Sequence, residues 1–416
     1  MKRGTLFVFA TVMVDMLGVG LIAPVLPQLL LHLTGNNVAR TASVFGVFGA
    51  TFALMQFLCS PLLGVLSDRL GRKPVLVLSN LGLSLDYVLM AVSPTVGWLF
   101  AGRVIAGITS ASMATASAYV ADVTEPQERA RSFGLLGVAF GLGFIAGPAI
   151  GGLLGGVSLR LPFWFAAALS LVNATYSFFL LPESLPRERR NAMVWRRANP
   201  FGSLQLLRSH PQLMGLASVS FLNTLAGVVL PSIYVLYVEE RYGWNSRSIG
   251  FSLMLLGLCS GLTQAALVKP VVAVLGERKT MLLGLLCGAT GMMIFGTANT
   301  SLLFVCGIPC IAAWGLAPAA AQSVLTGQVG ASEQGQLQGA LMSLSSIAAL
   351  LGPEIFTSIY ARSFHKTDQW NLPGIAWLLA GLILFSAALL MLRVTRTSPS
   401  TVERERLEGL NIVENP

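Results

Sequence analysis

The sequence predicts an all-α membrane protein whose twelve transmembrane helices form two halves of six helices each. Three observations lead to this fold class. Of the 416 residues, 54% are hydrophobic and only 11% are charged, whereas ordinary soluble domains carry about 25% charged residues. Apolar segments of membrane-spanning length occur twelve times. The two sets of six segments also share glycine and proline residues at a constant offset.

The twelve apolar segments are the predicted spans, since about 20 apolar residues cross the hydrocarbon core as a helix. In chain order they cover about 5–31, 42–63, 74–93, 97–121, 132–156, 161–181, 212–238, 248–268, 279–298, 301–325, 336–360 and 372–393. A polar, basic stretch separates the sixth span from the seventh. The predicted organisation is an N-terminal half (1–182), a cytoplasmic linker (183–211), a C-terminal half (212–393) and a cytoplasmic tail (394–416).

The distribution of Lys and Arg predicts the orientation. An even number of spans puts both termini on one side, and that side holds 20 of the 27 Lys and Arg residues, against six on the other. Positive charge accumulates in cytoplasmic segments. We therefore expect a multi-pass protein of the cytoplasmic (inner) membrane, with the lipid bilayer as its surroundings and both termini in the cytoplasm.

Composition and motifs also argue against several classes of partner. The net charge of +9 is spread over span ends rather than gathered in a basic tract, so a nucleic-acid partner is not expected. The five cysteines lie inside apolar segments without a CxxC pair, which predicts neither a metal site nor a disulfide framework.

The two halves share an internal repeat. Four pairs of residues are separated by 205 positions, namely Gly71 and Gly276, Gly134 and Gly339, Gly147 and Gly352, and Pro148 and Pro353. Coincidence among 43 glycines and 20 prolines is the alternative, but each pair also occupies the same topological position. Two parallel repeats of six spans, with a binding site between them near midplane, is one of the known designs of transporters.

A charged turn, GVLSDRLGRK (64–73), joins spans two and three. Gly64 and Gly71 would allow close backbone approach, while Asp68 lies among Arg69, Arg72 and Lys73, and Asp122 at the end of span four is a further partner. Such a cluster can lock helix ends together and release them, as a gate does; the alternative is a loop of solvated charges. In the second half, Ala273 stands where the offset would place the acid.

Span five carries a glycine ridge, formed by Gly143, Gly147, Gly151 and Gly155 at intervals of four residues. One face of the helix is therefore almost free of side chains, which permits close helix contact in lipid. Pro148 removes a backbone donor and bends the span. We expect this ridge to seal an interface between the halves, beyond serving as tight packing.

Three ionisable residues lie inside the spans of the first half. Asp15 is about 15 Å into span one and Asp86 about 18 Å into span three, whereas Arg103 lies in the outer part of span four. Charged residues at this depth are costly and mark proton or substrate pathways. They predict a water-lined cavity in which a carboxylate takes and releases protons. The alternative is a permanent ion pair of Arg103 with one acid, which would leave the other acid unpaired.

Uncharged polar residues could line the same cavity. Gln56, Gln264 and Gln322 lie within spans, although each could equally be a helix–helix hydrogen bond. Glu354 in span eleven has no acidic counterpart in the first half, and the sequence assigns it no role.

Several stretches resemble one known family. VDMLGVGLIAPVLP, ALMQFLCSPLLGVLSDRLGRKPVL, LDYVLM, AGRVIAGIT, AYVADVT, ERARSFGLL, AGPAIGGLLG and GQLQGAL resemble the tetracycline/proton antiporters, which are twelve-span drug efflux proteins of the major facilitator superfamily. The likeness covers most of the chain and is densest over 10–160. It implies the major facilitator fold.

The resemblance also implies roles for individual residues. Asp15 and Asp86 match acids important for proton coupling, Arg103 matches an arginine that balances them, and Ser67, Asp68 and Arg72 match gating residues. Family substrates are tetracyclines chelated to a divalent metal, so a metal would arrive with the substrate and no resident cofactor is expected. The family usually carries a third acid in span nine, where this chain has Gly288.

The leading functional hypothesis is a proton-coupled antiporter that exports an amphipathic drug, such as a tetracycline, by alternating access and works as a monomer. Export of another drug or of an endogenous metabolite is the alternative. An intramembrane aspartyl protease using Asp15 and Asp86 is disfavoured because neither acid has a YD or GxGD context, and neither an HExxH nor a GxSxG motif occurs. An enzyme is therefore not expected. A channel would have little use for a charged hinge.

Overall fold

The computed structural model describes residues 3–110, 112–124, 129–185, 211–326, 328, 334–363 and 373–396. Within these residues, twelve helices or broken helices are long and apolar enough to cross a membrane, which confirms the predicted count. They cover Leu6–Leu33, Val38–Ser60, Arg72–Val92, Val96–Val123, Leu136–Gly155, Leu161–Leu180, Leu213–Tyr242, Ser246–Leu275, Glu277–Thr297, Ser301–Leu325, Ala340–Arg362 and Ile375–Val394. We number them spans one to twelve. Most of the linker and of the tail lies outside the described residues.

Helices of the first half follow the predicted segments closely. Their bounds are Arg3–Ile22, Leu26–Leu33, Val38–Leu70, Arg72–Val92, Val96–Thr109, Ser112–Val123, Arg129–Gly155 and Leu161–Leu180. Span one is interrupted after Ile22, where Pro24 and Pro27 remove backbone donors. Gly71, with a φ of 110° and a ψ of 165°, separates spans two and three. Essentially only glycine adopts this conformation. The turn between the two spans therefore consists of this single residue.

The second half is more broken. Its helices are Pro211–Gly227, Val229–Tyr242, Ser246–Leu262, Val268–Leu275, Glu277–Thr297, Ser301–Cys306, Ile308–Ala313, Leu316–Thr326, Gln334–Arg362 and Ile375–Arg396. A π-helical turn, Thr263–Leu267, lies inside span eight. Such turns often mark functional positions in helices. Gly276 repeats the role of Gly71, with a φ of 76°, and so carries the sequence repeat into the backbone.

The two ends of the molecule are distinguished by the chain termini. We call the side where the first described helix begins and the last one ends the terminal side, and the opposite side the far side. On the far side of the second half, a buried aromatic cluster includes Tyr234, Tyr237, Phe295, Phe304 and Trp377. The rings of Phe295 and Phe304 stack with centroids 4.0 Å apart. This cluster ties spans seven, nine, ten and twelve into one rigid body.

Outer faces of the helices expose large apolar side chains. On span six, Val172 is 64% exposed and Phe179 is 74% exposed. Contiguous apolar surfaces of this kind are not left facing water in soluble proteins. They are suited to hydrocarbon, so the structure agrees with the membrane location that the composition predicts.

Two long seams join the halves. Span two packs along span eleven, and span five packs along span eight. Within the first half, span one packs along span five and span three along span six. The repeat relates span two to span eight and span five to span eleven, so each seam pairs one span with the repeat counterpart of the span in the other seam.

Candidate functional site

Asp15 lies inside the first half and does not face lipid. Its side chain is buried, with the residue only 1% exposed. Asn173 of span six donates to Asp15 Oδ1 over 2.8 Å. The amide of Asn80 in span three, oriented with its nitrogen toward the carboxylate, lies 2.8 Å from Oδ1 and 3.2 Å from Oδ2. Among the described residues no cation lies within ion-pair distance of this acid.

One amide partner of Asp15 is held by a second contact with span one. Asn173 also donates to the backbone oxygen of Thr11 over 3.0 Å, so its amide bridges two turns of span one. Both asparagines are buried. Asp15 is therefore an acid served by neutral donors from two other helices, which is a rare arrangement because buried carboxylates are usually paired with a base.

Asp86 forms an ion pair with Arg103. The Asp86 side chain is fully buried, while that of Arg103 is 12% exposed. The guanidinium also stacks over the rings of Phe48 and Phe52, with 5.4 Å to each centroid. Gly102 makes room for the acid, since a Cβ at that position would lie 2.5 Å from Asp86 Oδ1. Of the two sequence alternatives, the pair of Arg103 with one acid is the one present, and Asp15 is the acid left unpaired.

The water-lined chamber predicted around both acids is not found in this conformation. Asp15 and Asp86 are 1% and 0% exposed. The physical reason is that protein groups, two amides for one acid and a guanidinium for the other, take the places that water was expected to fill. Among the three described charged side chains, only that of Arg103 is appreciably exposed, at 12%, so it is the exposed edge of the group.

The three glutamines lie in different places. Gln56 donates through Nε2 to Ser110 Oγ over 2.8 Å and so links spans two and four. Gln264 is exposed in the π-helical turn of span eight, 3.7 Å from where a Cβ on Gly315 would be. Gln322 is exposed on span ten and lines a cavity in the second half. No single wall contains all three.

The charged turn on the terminal side is centred on Arg72. Its guanidinium donates to Asp68 Oδ1 over 2.6 Å, to Ser67 Oγ over 3.1 Å and to Asp122 Oδ2 over 3.0 Å. The cluster therefore joins the ends of spans two, three and four, as the sequence predicts. Ser184 adds a bond to Asp122 Oδ2 over 3.0 Å and brings in the segment after span six.

Glu183 belongs to this cluster, although sequence analysis did not select it. Its carboxylate accepts from the backbone N–H groups of Arg72, over 2.8 Å, and Lys73, over 3.2 Å. Those groups begin span three and have no partner within their own helix. An acid also favours the positive end of the helix dipole. The sequence did contain a signal for this role, because an acidic residue ends span six on the same side of the membrane on which span three begins without a capping residue.

Gly64 does not make the close approach expected of it. A Cβ at Gly64 would meet no atom within 4 Å, so the glycine faces open space in this conformation. At Gly71 the structure shows a different requirement for glycine, namely a positive φ, and close backbone approach there stays a prediction.

The glycine ridge of span five packs against span one, so the predicted interface between the halves is wrong for these residues. Added Cβ atoms at Gly143, Gly147 and Gly151 would meet backbone atoms of span one, at Leu17, Gly20 and Leu21 respectively. The ridge seals the first half internally. Gly155 alone also reaches the other half, since its Cβ would lie 3.2 Å from Ser246 Cβ.

An adjacent face of span five makes the contact with the second half. Gly250 of span eight lies against the backbone oxygen of Pro148, and a Cβ on Gly152 would lie 2.9 Å from Gly250 Cα. Closer to midplane, Ile145 contacts Gly257. The spacing of the glycines identified the small-residue faces of span five, but it did not determine which helix each face contacts.

These contacts close the far side of the molecule. Ser246 at the start of span eight donates to Gln28 Oε1 of span one over 2.5 Å. On the other seam, Gly49 of span two lies against Pro353 of span eleven. Toward the terminal side, by contrast, Cβ atoms at Gly137 and Gly141 of span five would meet nothing within 4 Å. The halves are therefore joined at the far side, whereas Gly137 and Gly141 of span five have no close neighbour toward the terminal side.

Gly288, where the resembled family has an acid, is covered by the indole of Trp314. A Cβ at Gly288 would lie 2.6 Å from Trp314 Cγ and 2.9 Å from Leu384 Cδ1. A carboxylate side chain does not fit there while Trp314 keeps its position. Among the described residues no group of three or more His, Cys, Asp or Glu side chains could hold a metal ion.

Comparison with known proteins agrees with this architecture. The profile of the Major Facilitator Superfamily matches residues 8–353 and 216–414. The tetracycline resistance protein of class C from Escherichia coli is 40% identical over 392 residues, covering 94% of this chain and 97% of that protein. The class E protein, also from Escherichia coli, is 37% identical over 393 residues, covering 94% and 95%.

A solved structure shows the same fold at low identity. The nucleoside transporter NupG superposes with a TM-score of 0.77 at 12% identity, and the match covers 95% of this chain and 100% of that one. The match of the family profile across the chain, the identities above 30% over nearly full length, and the two six-helix halves agree. The chain belongs to the Major Facilitator Superfamily and is a multi-pass membrane transporter rather than an enzyme.

Proposed function

We propose that this transporter exports tetracycline or a similar amphipathic drug in exchange for protons. The identity of 35% to 40% with tetracycline resistance proteins of several classes over most of the chain supports the substrate class. The observation that carries the proton coupling is Asp15, a buried intramembrane acid whose hydrogen-bond partners are neutral. The proposed location is the cytoplasmic (inner) membrane, with the terminal side in the cytoplasm, as the Lys and Arg distribution indicates.

Neutral amides suit a carboxyl group that changes its protonation state. An ionised acid needs donors, and a protonated acid needs one acceptor, while an asparagine amide offers both from its two ends. Rotation of the Asn80 amide by half a turn presents nitrogen to the charged form or oxygen to the neutral form. An arginine partner could serve only the charged form. Asp15 is therefore the residue to which we assign the transported proton.

Asp86 and Arg103 are proposed to couple substrate and proton. Arg103 is the exposed member of the pair, so an anionic or chelating group of the substrate would approach it first. Such an approach competes with Asp86 for the guanidinium. Exchange in opposite directions requires that substrate and proton exclude one another at the site. We therefore propose that substrate binding displaces the proton and that the proton returns after the substrate has left.

Alternating access supplies the vectorial step. With the far side closed, the conformation described above is the one that would admit drug from the cytoplasm. Arg72 and its partners hold the ends of spans two, three, four and six together, which lets the first half move as one body. Rocking of the halves about the central site then opens the far side.

The proposal requires no resident cofactor and a single copy of the chain. A divalent metal would enter only as part of a chelated substrate. Each half supplies one wall of the central site, so one chain contains a complete pathway.

Everted membrane vesicles test the mechanism directly. Drug uptake driven by an imposed proton gradient should stop with a protonophore and in Asp15→Asn, while Glu354→Gln, a matched change of an intramembrane acid outside the proposed site, should retain it. Uptake by Asp15→Asn at the wild-type rate, with the same proton release on drug addition, would refute the role of Asp15.

A second candidate function is export of another drug or of an endogenous metabolite. Gly288 favours it, because the resembled family usually carries an acid at that position and Trp314 occupies the space here. Minimum inhibitory concentrations in an efflux-deficient host, for tetracyclines and for unrelated compounds, separate the two candidates. Protection against tetracyclines alone supports the first, and protection only against other compounds supports the second.

A further inference from the structure

A cavity of about 150 Å³ lies within the second half, between spans seven, nine, ten and eleven. Ser220 and Asn223 of span seven, Gln322 of span ten and Ser345 of span eleven supply its polar groups. The other lining residues are apolar except Thr224, and none of the thirteen carries a charge. The cavity thus differs in kind from the first-half site, where an ion pair and an acid dominate.

Asn223 is held in one orientation by Trp314. The indole Nε1 donates to Asn223 Oδ1 over 2.6 Å. The ring is clamped between two glycines, because Cβ atoms would lie 3.0 Å from it at Gly227 and 2.6 Å at Gly288. Since the carbonyl oxygen of Asn223 is engaged, its amide nitrogen is left as a donor for the cavity.

A second polar atom in the cavity is unsatisfied. Ser220 Oγ is buried and makes no hydrogen bond to any described residue. A buried hydroxyl without a hydrogen-bond partner is unfavourable, so Ser220 Oγ calls for an outside partner, either water or a bound molecule. Ser220 and Asn223 lie three residues apart on a helix, which places them on the same face.

From these contacts we infer that the cavity is a subsite for an uncharged, hydrogen-bond-accepting group of the transported molecule, such as a ring carbonyl or a carboxamide. Asn223 is the residue that contacts this group, and Trp314 is a positioning residue that fixes the donor. The inference rests on the proposed export function and deepens it. The first half would recognise the charged part of the substrate and the second half its neutral part.

Size and charge both limit what enters. A cavity of this volume holds several waters or one ring-sized group, since a water needs about 10–15 Å³ of such space. An ionised group would lose its hydration without gaining a counter-ion, which is strongly unfavourable.

Transport kinetics in everted vesicles with tetracycline as the probe test the subsite. Asn223→Ala should raise KM about three- to tenfold, the loss expected for one hydrogen bond, while Vmax changes less than twofold. Trp314→Phe keeps the ring but not the donor, and should shift KM in the same direction by a smaller factor. Ser218→Ala, on the same helix with its hydroxyl bonded to Met214 O over 2.8 Å, is the control and should leave KM unchanged. An unchanged KM in Asn223→Ala would overturn the inference.

Cysteine labelling tests the cavity independently of whether tetracycline is the substrate. In a background lacking the five native cysteines, Ser220→Cys should react with neutral N-ethylmaleimide at least tenfold faster than with a cationic methanethiosulfonate reagent of similar size. Equal rates, or no reaction with either reagent, would refute a neutral subsite. If wild type does not transport tetracycline but this selectivity holds, the proposed substrate fails and the subsite stands.

Discussion

Asp86→Asn should destabilise the protein strongly, because it removes the buried partner of a permanent cation. Arg103 cannot lose its proton in a protein, and its side chain is only 12% exposed. Removing one member of a buried ion pair costs about 3–5 kcal/mol. The stacking of the guanidinium on Phe48 and Phe52 does not reduce this cost, since wild type already has it.

Arg103→Gln should be the milder single change. The carboxyl group left behind can take up a proton, whereas the guanidinium in Asp86→Asn stays charged. The double variant Asp86→Asn with Arg103→Gln removes both charges and should recover most of the lost stability, because uncharged replacements of buried pairs are often neutral. The expected order of stability is therefore wild type close to the double variant, then Arg103→Gln, then Asp86→Asn.

Denaturation of the purified protein in detergent, followed by tryptophan fluorescence, measures this cycle. Asp122→Asn makes the same chemical change in a partner of Arg72 that is 23% exposed, and should cost less than about 1 kcal/mol, as exposed pairs do. A double variant no more stable than Asp86→Asn, or an Asp86→Asn as stable as wild type, would show that Asp86 and Arg103 are not a structural pair in the folded protein.

Three further predictions concern the turn and the ridge. Gly71→Ala should lower the free energy of unfolding by about 1–3 kcal/mol, because residues with a side chain rarely adopt a φ of 110°. Gly64 faces open space in a helix, so Gly64→Ala should leave the stability unchanged or raise it slightly. Equal effects of the two substitutions would contradict this account. Gly147→Ala should force spans one and five apart at a cost of about 1–3 kcal/mol, while Gly141→Ala should not; an unchanged melting temperature in Gly147→Ala would disprove the contact. Glu183→Ala removes a helix cap and should lower the free energy of unfolding by about 1–2 kcal/mol in the same denaturation assay. A decrease of less than about 0.3 kcal/mol would refute the capping role.

Features encoded along single helices were predictable from the sequence. Twelve spans, the repeat at offset 205 and the sharp turn at Gly71 all follow from length, hydropathy and residue type, and the structure confirms them. The placement of Asp15 and Asp86 inside apolar helices was predictable for the same reason, and their depth, calculated from the rise per residue, stays a prediction.

Partners across helices were not predictable from one sequence. Asn80 and Asn173 are ordinary polar residues of spans three and six until the fold places them beside Asp15. The ridge of Gly147 was correctly identified as a contact face but was assigned to the wrong neighbour, because four-residue spacing defines a face and not what it meets. Trp314 gave no signal as a positioning residue, since its role depends on glycines in two other spans.

The backbone contact between Gly152 and Gly250 bears on how such a machine can be both tight and fast. Glycines have no side-chain rotamers to fix when the two helices come together. The seam can therefore open and close without the entropy loss of an interface with interdigitating side chains. For the same reason the contact does not tolerate substitution, because a single added methyl group would collide with the facing backbone and keep the far side from closing fully. A transporter with such a substitution would let both its substrate and protons leak inward.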